Sequence, residues 1–377
     1  MIASESGPAL ACKGIASVWR RGSKASLIAR ALRRPELGAL SGVILIYLIF
    51  FVVARDSGMF TVEGLVNILQ VSAEIGILAV AVAMLMIAGE FDLSIGSMIG
   101  IAGVIIGLGS TVYGLPLSYS VLLAFLVCAA IGALNGWVTV ASGLPSFIVT
   151  LASLLILRGL AIAVTRHVNG YTQISGITEG DPDSFAIALF SGRVGGWFFV
   201  WMAEQGWVAT KANGLPVVEG LPVSIVWWIA LTALATWVLL RTSFGNWIFA
   251  VGGDATSARN VGVPVRRVKI ILFVLTAMSA VVFAAVQVLD VGSADTLRGT
   301  QKELDAIIAV VIGGTLLTGG YGSAVGALLG ALIYGTVQIG ILYTGIDSDL
   351  FKVFLGLMVL VAVLFNNYVR RQAAAAR

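Results

Sequence analysis

Ten apolar runs long enough to cross a bilayer recur along this chain, near 37–54, 64–88, 94–113, 117–140, 145–165, 222–240, 268–289, 304–320, 322–343 and 350–367. No soluble core can bury that many. The chain is 59% hydrophobic and 11% charged, where soluble domains carry roughly 25% charged residues. In hydrocarbon a helix satisfies its own backbone groups, so the pattern predicts an all-α integral membrane protein of about ten transmembrane helices. The eighth run is short and broken by glycine. Glycine supplies 45 of the 377 residues, which suits helices packed closely in lipid.

Charge orients the chain. Residues 1–36 form a basic arm with Lys13, Arg20, Arg21, Lys24, Arg30, Arg33 and Arg34, read as cytoplasmic ahead of an uncleaved first span. The transmembrane domain covers 37–370, and the tail 371–377 falls on the same side, as an even number of spans requires. The loop 166–221 is then external, with Glu179, Asp181, Asp183, Glu204 and Glu219 against Arg166, Arg193 and Lys211. Within it Phe185–Met202 is apolar enough to tempt an eleventh span, which would put the termini on opposite sides. Arg193 and three glycines interrupt it, and Trp197, Trp201 and Trp207 suit an interface, so it reads as an external hairpin or helix lying on the membrane.

Several functions are excluded. The net charge of +4 comes from the arm and the loops, where basic residues face an anionic leaflet, and is no nucleic-acid signature. Cys12, Cys128 and the single His167 cannot make a disulfide framework, a metal site or a histidine-based triad. None of the six lysines follows a glycine, so no GxxxxGK[ST] phosphate loop exists. The chain should bind no cofactor itself, and ATP hydrolysis, if it is needed, belongs to another subunit.

Polar interruptions of the apolar pattern mark the candidate sites. The loop 241–267, extended to Lys269, is basic and has the punctuation of a short helix. Asp254 caps its start, Ala255–Val261 favour a turn or two, Gly262 fits the position past its end and Pro264 blocks continuation. It is either a docking element for a soluble partner or a solvated connection. Gly89–Ser97 sets Glu90 and Asp92 between two spans, with Asp92 or Ser94 capping the next helix. Gly313, Gly314, Gly319 and Gly320 break another pair of spans. Each is a bend at a gate or partner contact, or a plain capped turn. Asn135–Phe147 reads as an ordinary connection. Asn67, Gln70 and Glu74 share one helical face, and with Arg158, a mid-span base that needs a cavity or a paired acid, they are the candidates to line a translocation path; the plain alternative is hydrogen bonding and ion pairing between packed helices.

At these places the sequence resembles the permease subunits of ABC importers for monosaccharides, of the ribose, xylose and autoinducer-2 type. Gly89–Ser97 resembles their Gly-Gly-Ile-Asp-Leu-Ser-Val-Gly-Ser motif, with Glu90 and Phe91 as departures. Asn135–Leu151, Ala250–Val263 and Glu303–Ile307 with Gly313–Ser323 look like three further family segments, and the match runs over about 37–370. About 196–220 is extra length in the external loop. The resemblance implies a permease that works as half of a homo- or heterodimer. An external sugar-binding protein would deliver substrate, and a cytoplasmic ATPase subunit would bind ATP and magnesium. It also implies that Gly252, Gly253, Asp254, Ala255, Ala258, Arg259 and Gly262 form the coupling element, the two glycines turning the chain and the two alanines allowing close approach to the ATPase. The same machine carrying branched-chain amino acids or another small polar solute is the alternative. An ion-coupled secondary transporter would want carboxylates deep in the spans, where Glu74 is the main candidate. A membrane enzyme would need a cluster of catalytic acids or histidines that the sequence lacks.

Overall fold

A computed structural model describes residues 35–345 and 347–375. The basic arm up to residue 34 and the last two residues of the tail lie outside them. The first half holds helices α1 (Pro35–Val53), α2 (Val62–Ile87), α3 (Ile95–Thr111), α4 (Leu117–Ser142) and α5 (Ser146–Asn169). The long loop that follows carries α6 (Phe185–Phe190) and α7 (Gly196–Glu204). Then come α8 (Val223–Arg241), α9 (Ser243–Gly253), α10 (Ala255–Asn260), α11 (Val265–Val291), α12 (Lys302–Ile312), α13 (Ala324–Tyr343) and α14 (Phe351–Ala375).

Among the described residues seven helices are long and apolar enough to cross a membrane: α1, α2, α4, α5, α8, α11 and α13. The third and tenth expected spans are shorter apolar helices, Ile95–Thr111 and the Phe351–Leu364 part of α14. The eighth does not run from 304 to 320. It is the eleven-residue α12, after which Gly314, Gly319 and Gly320 adopt positive φ and carry the chain round to α13. The tempting Phe185–Met202 run is no span either. Its two short helices are separated by strand β2 (Arg193–Val194), paired with β3 (Leu221–Pro222).

The core lies where α2 and α11 are enclosed by α3, α4, α8 and α13. Small residues set the spacing. A Cβ on Gly76 would strike the Trp228 indole of α8, and one on Gly335 would strike Ser72 of α2. In lipid, where burying apolar side chains gains little over leaving them in acyl chains, this close contact supplies much of the association. Gly136, expected at a turn, is helical, and α4 continues to Ser142 before Gly143 ends it in the left-handed region.

The loops sort to two ends. The C-terminal end of α2, the α4–α5 turn, α9–α10 and the loop 313–323 gather at one, where Ser146 and Thr150 bond the 89–94 turn. At the other lie β1 (Gln173–Ser175), paired antiparallel with β4 (Ser293–Asp295), and the β2–β3 pair.

Candidate functional site

The segment 241–269, read as a loop with one short helix, folds as two helices, α9 and α10, before α11 begins. Asp254, extended at φ −158 and ψ 107, makes the turn between α9 and α10, and its Oδ1 accepts from the Ser257 backbone N–H at 2.5 Å. That bond holds the exposed Asp254 carboxyl below its ordinary range. At the far end Val263 N–H donates to the Ala258 carbonyl and Gly262 N–H to that of Arg259, each at 3.0 Å, with Gly262 at φ +88. This is a Schellman closure, which fixes a helix of only six residues.

Two site expectations change here. Gly252 and Gly253 do not make the turn, because they complete α9. Ala258 does not present itself to a partner: it is 4% exposed and packs inward with Leu85, Ile248 and Val268, and Ala255 leans on the same cluster. The outward face is Thr256, Ser257, Arg259, Asn260 and Val261, followed by Arg266 and Arg267. The periodicity of so short a helix gave no means of telling its two sides apart.

Gly252 has a different use. A Cβ there would collide with the Ile87 carbonyl oxygen, which also accepts a 2.8 Å hydrogen bond from Gly320 N–H. A Cβ on Gly319 would lie 2.8 Å from Gly89 Cα and 2.9 Å from the Gly252 oxygen, and one on Gly320 3.2 Å from Gly253 Cα. Three segments remote in sequence therefore meet backbone to backbone. Nearby, a Cβ on Gly313 would strike the Gly326 oxygen, so α12 ends hard against α13, and Gly314 turns away at φ +89.

Above this junction sits a carboxylate network. Asp92 is 2% exposed, and its Oδ1 accepts from Ser94 N–H at 2.9 Å and from the Ser94 hydroxyl at 2.6 Å. Its Oδ2 accepts from the Thr276 hydroxyl of α11 at 2.7 Å, and Asn135 Nδ2 of α4 donates to Ser94 Oγ at 3.0 Å. Neither Asp92 nor Ser94 caps the first free N–H groups of α3, since both are held in this network and the Ser94 side chain makes no cap bond. The same turn is tied to α5, where Phe91 N–H donates to Ser146 Oγ at 3.0 Å and Leu93 N–H to Thr150 Oγ1 at 3.1 Å. The Asn135–Phe147 segment is thus part of the site and no plain connection. Thr276 went unnoticed in the sequence, because a lone threonine in an apolar helix ordinarily bonds its own backbone.

Asn67, Gln70 and Glu74 do share a face. With Ile339, Leu342 and Tyr343 they line an open groove of about 400 Å³. Gln287 Nε2 of α11 donates to Glu74 Oε2 at 2.7 Å. Arg158 is not in this groove. It lies on α5 within electrostatic reach of Glu303, and among the described residues Arg158 Nη2 and Glu303 Oε2 have no hydrogen-bond partner. Gly96 lets Glu303 come close, since a Cβ there would meet its carboxylate. Among the described residues no group of three or more His, Cys, Asp and Glu could hold a metal.

An exposed short helix flanked by Arg259, Arg266 and Arg267 thus lies beside a backbone junction of glycines and a buried polar network around Asp92. Residues 64–363 match the family model described as the branched-chain amino acid transport system permease component. The chain belongs to this permease family. It is 33% identical to the ribose import permease protein RbsC of Escherichia coli (strain K12) over 328 residues, 86% of this chain and 92% of that protein. It is 30% identical to the xylose transport system permease protein XylH of the same strain over 371 residues, 90% of this chain and 93% of that protein. The probable ABC transporter permease protein YphD is 31% identical over 91% of the chain and 92% of its own length. No solved structure matches. The permease is a multi-pass membrane protein, and the glycine junction is built from motif segments that the sequence resemblance had singled out separately.

Proposed function

We propose that the permease is the membrane subunit of an ATP-driven importer of a monosaccharide or similar small polyol in the bacterial inner membrane. The observation that carries this is similarity, over nearly the whole length of both chains, to permeases named for ribose and xylose. The family description mentions branched-chain amino acids, but those relatives favour a sugar. A second permease subunit completes the path, and an external sugar-binding protein delivers substrate. ATP and magnesium belong to a cytoplasmic ATPase subunit that docks on α10. The exposed Arg259, Arg266 and Arg267 suit an acidic groove on that partner, and the Gly252–Gly320 junction gives its movement a rigid route to the ends of α2 and α13.

In this reading residues 241–267 are cytoplasmic and 166–221 external, and the Asn67–Gln70–Glu74 groove opens on the path. Trp197, Trp201 and Trp207, all exposed, sit at the lipid interface. Arg158 serves the Glu303 side of the bundle and lines no part of the groove. The test is uptake of labelled pentoses and hexoses by vesicles holding the permease with its ATPase and binding protein. It is joined to impermeant thiol labelling of cysteines placed at Ala212 and Ser257 in intact cells. Sugar uptake that needs ATP, with labelling at Ala212 alone, is the expected result. Uptake without the ATPase, or labelling at Ser257, overturns it.

A further inference from the structure

We infer that Glu90 and Lys269 form a positioning ion pair that carries movement of the docking helix into the buried Asp92 network. Lys269 Nζ meets Glu90 Oε1, with side chains only 20% and 10% exposed. Lys269 lies in the second turn of α11, directly after the α10 segment, and Thr276 follows seven residues later on the same helix face. The short 89–94 turn therefore grips α11 at two points, Glu90 on Lys269 and Asp92 on Thr276. With Ser146 and Thr150 holding the other side of the turn on α5, these two grips are its side-chain attachments to α11, so a tilt of α11 at its docking end reaches Asp92, Ser94 and Asn135 together.

Glu90 stands where the resembled sugar-permease motif has glycine, which has no side chain to offer Lys269. Placing a carboxylate there costs desolvation, and the lysine opposite offsets it. The neighbouring Arg266 and Arg267 point outward, so Lys269 is the base of this segment committed inward. Breaking the pair leaves the Asp92 bonds in place but removes the grip nearest the ATPase.

This inference rests on the ATP-driven reading, and the experiment separates the two. In vesicles holding the permease with its ATPase and binding protein, wild type must first show ATP-dependent sugar uptake; if it does not, that reading fails and not the pair. Sugar moved per ATP hydrolysed is then measured for Glu90→Gln, Lys269→Met and the exchanged double variant Glu90→Lys with Lys269→Glu. Each single variant should lower the ratio about tenfold, and the exchange should recover most of it. Single variants with the wild-type ratio overturn the inference. So does a loss of assembled complex with the ratio unchanged, since the pair would then serve packing alone. If neither single variant assembles, the exchange decides: a complex with near wild-type ratio supports the pair, and a low ratio or no complex overturns it.

Discussion

The two ends of the bundle are built from different material. At the end assigned to the ATPase, Gly89, Gly252, Gly319 and Gly320 meet through their backbones with no side chain between them. At the opposite end lie the three-residue pair β1–β4, the two-residue pair β2–β3, a cavity of about 790 Å³ beside Asp181, and an exposed Lys211–Glu219 pair at 2.7 Å. Backbone against backbone has no rotamers to rearrange, so displacement at one segment is passed on. A surface held by side chains and short ladders absorbs it. The contrast fits the two tasks proposed above, transmission at one end and adaptable engagement of a delivery protein at the other.

The comparison breaks most sharply at Gly252. Gly252→Val forces a side chain against the Ile87 carbonyl and should abolish uptake, lowering thermal stability by about 1–3 kcal/mol. Gly180→Ala, at the other end, has open space around its new methyl and should leave both unchanged. Equal effects in a detergent melting assay would show that the two ends are equally tolerant. Next in size is the buried network. Asp92→Asn replaces an acceptor of three hydrogen bonds with a group that must also donate, and should cost about 1–3 kcal/mol and most transport. Thr276→Val should cost less, because it removes one donor only. Fluorescence melting curves with uptake measured alongside will rank the two.

Arg259→Glu tests transmission apart from folding, for the side chain is exposed and α10 keeps both its caps. Its expected signature is ATP hydrolysis that no longer responds to the binding protein, with unchanged melting. Full stimulation would remove α10 from the coupling role. The smallest effect belongs to Lys211→Ala, which loses a solvent-exposed ion pair. Lys211 holds the Glu219 carboxyl below its ordinary range, so the pair is present above the unfolded carboxylate pKa and fades as pH falls through the folded one. Melting of wild type and Lys211→Ala should differ only slightly near neutral pH and converge in acid, and a large neutral-pH difference would mean that this end is as rigid as the other.

Spans and breaks were legible in the sequence because apolar length and glycine are local signals. The placement of α2, α4, α5, α8, α11 and α13 followed from them, and so did the fracture after α12. What escaped was whatever depends on a distant partner. Asn135 looked like a turn residue until Ser94 was found across from it, and Ala258 looked like a contact surface until the inward cluster showed which way it faced. Arg158 was grouped with Glu74 by chemistry alone, yet the fold sends the two to different neighbours. A residue's type tells what it needs, whereas only packing tells who supplies it.

The glycine junction also sets an order of events during synthesis. The turn at Gly89 leaves the ribosome early, Gly252 well after it, and Gly319 and Gly320 near the end of the chain. Helix α10 closes its caps within Asp254–Val263, whereas the Gly320 bond that ties Ile87 to this corner waits for a segment made later. In the coupling role proposed above, a permease still being inserted carries its docking helix without this brace, and an ATPase bound to it would have nothing rigid to push against. The contact proposed to couple the permease to its ATPase is, by its place in the sequence, also the last part of this corner to be made.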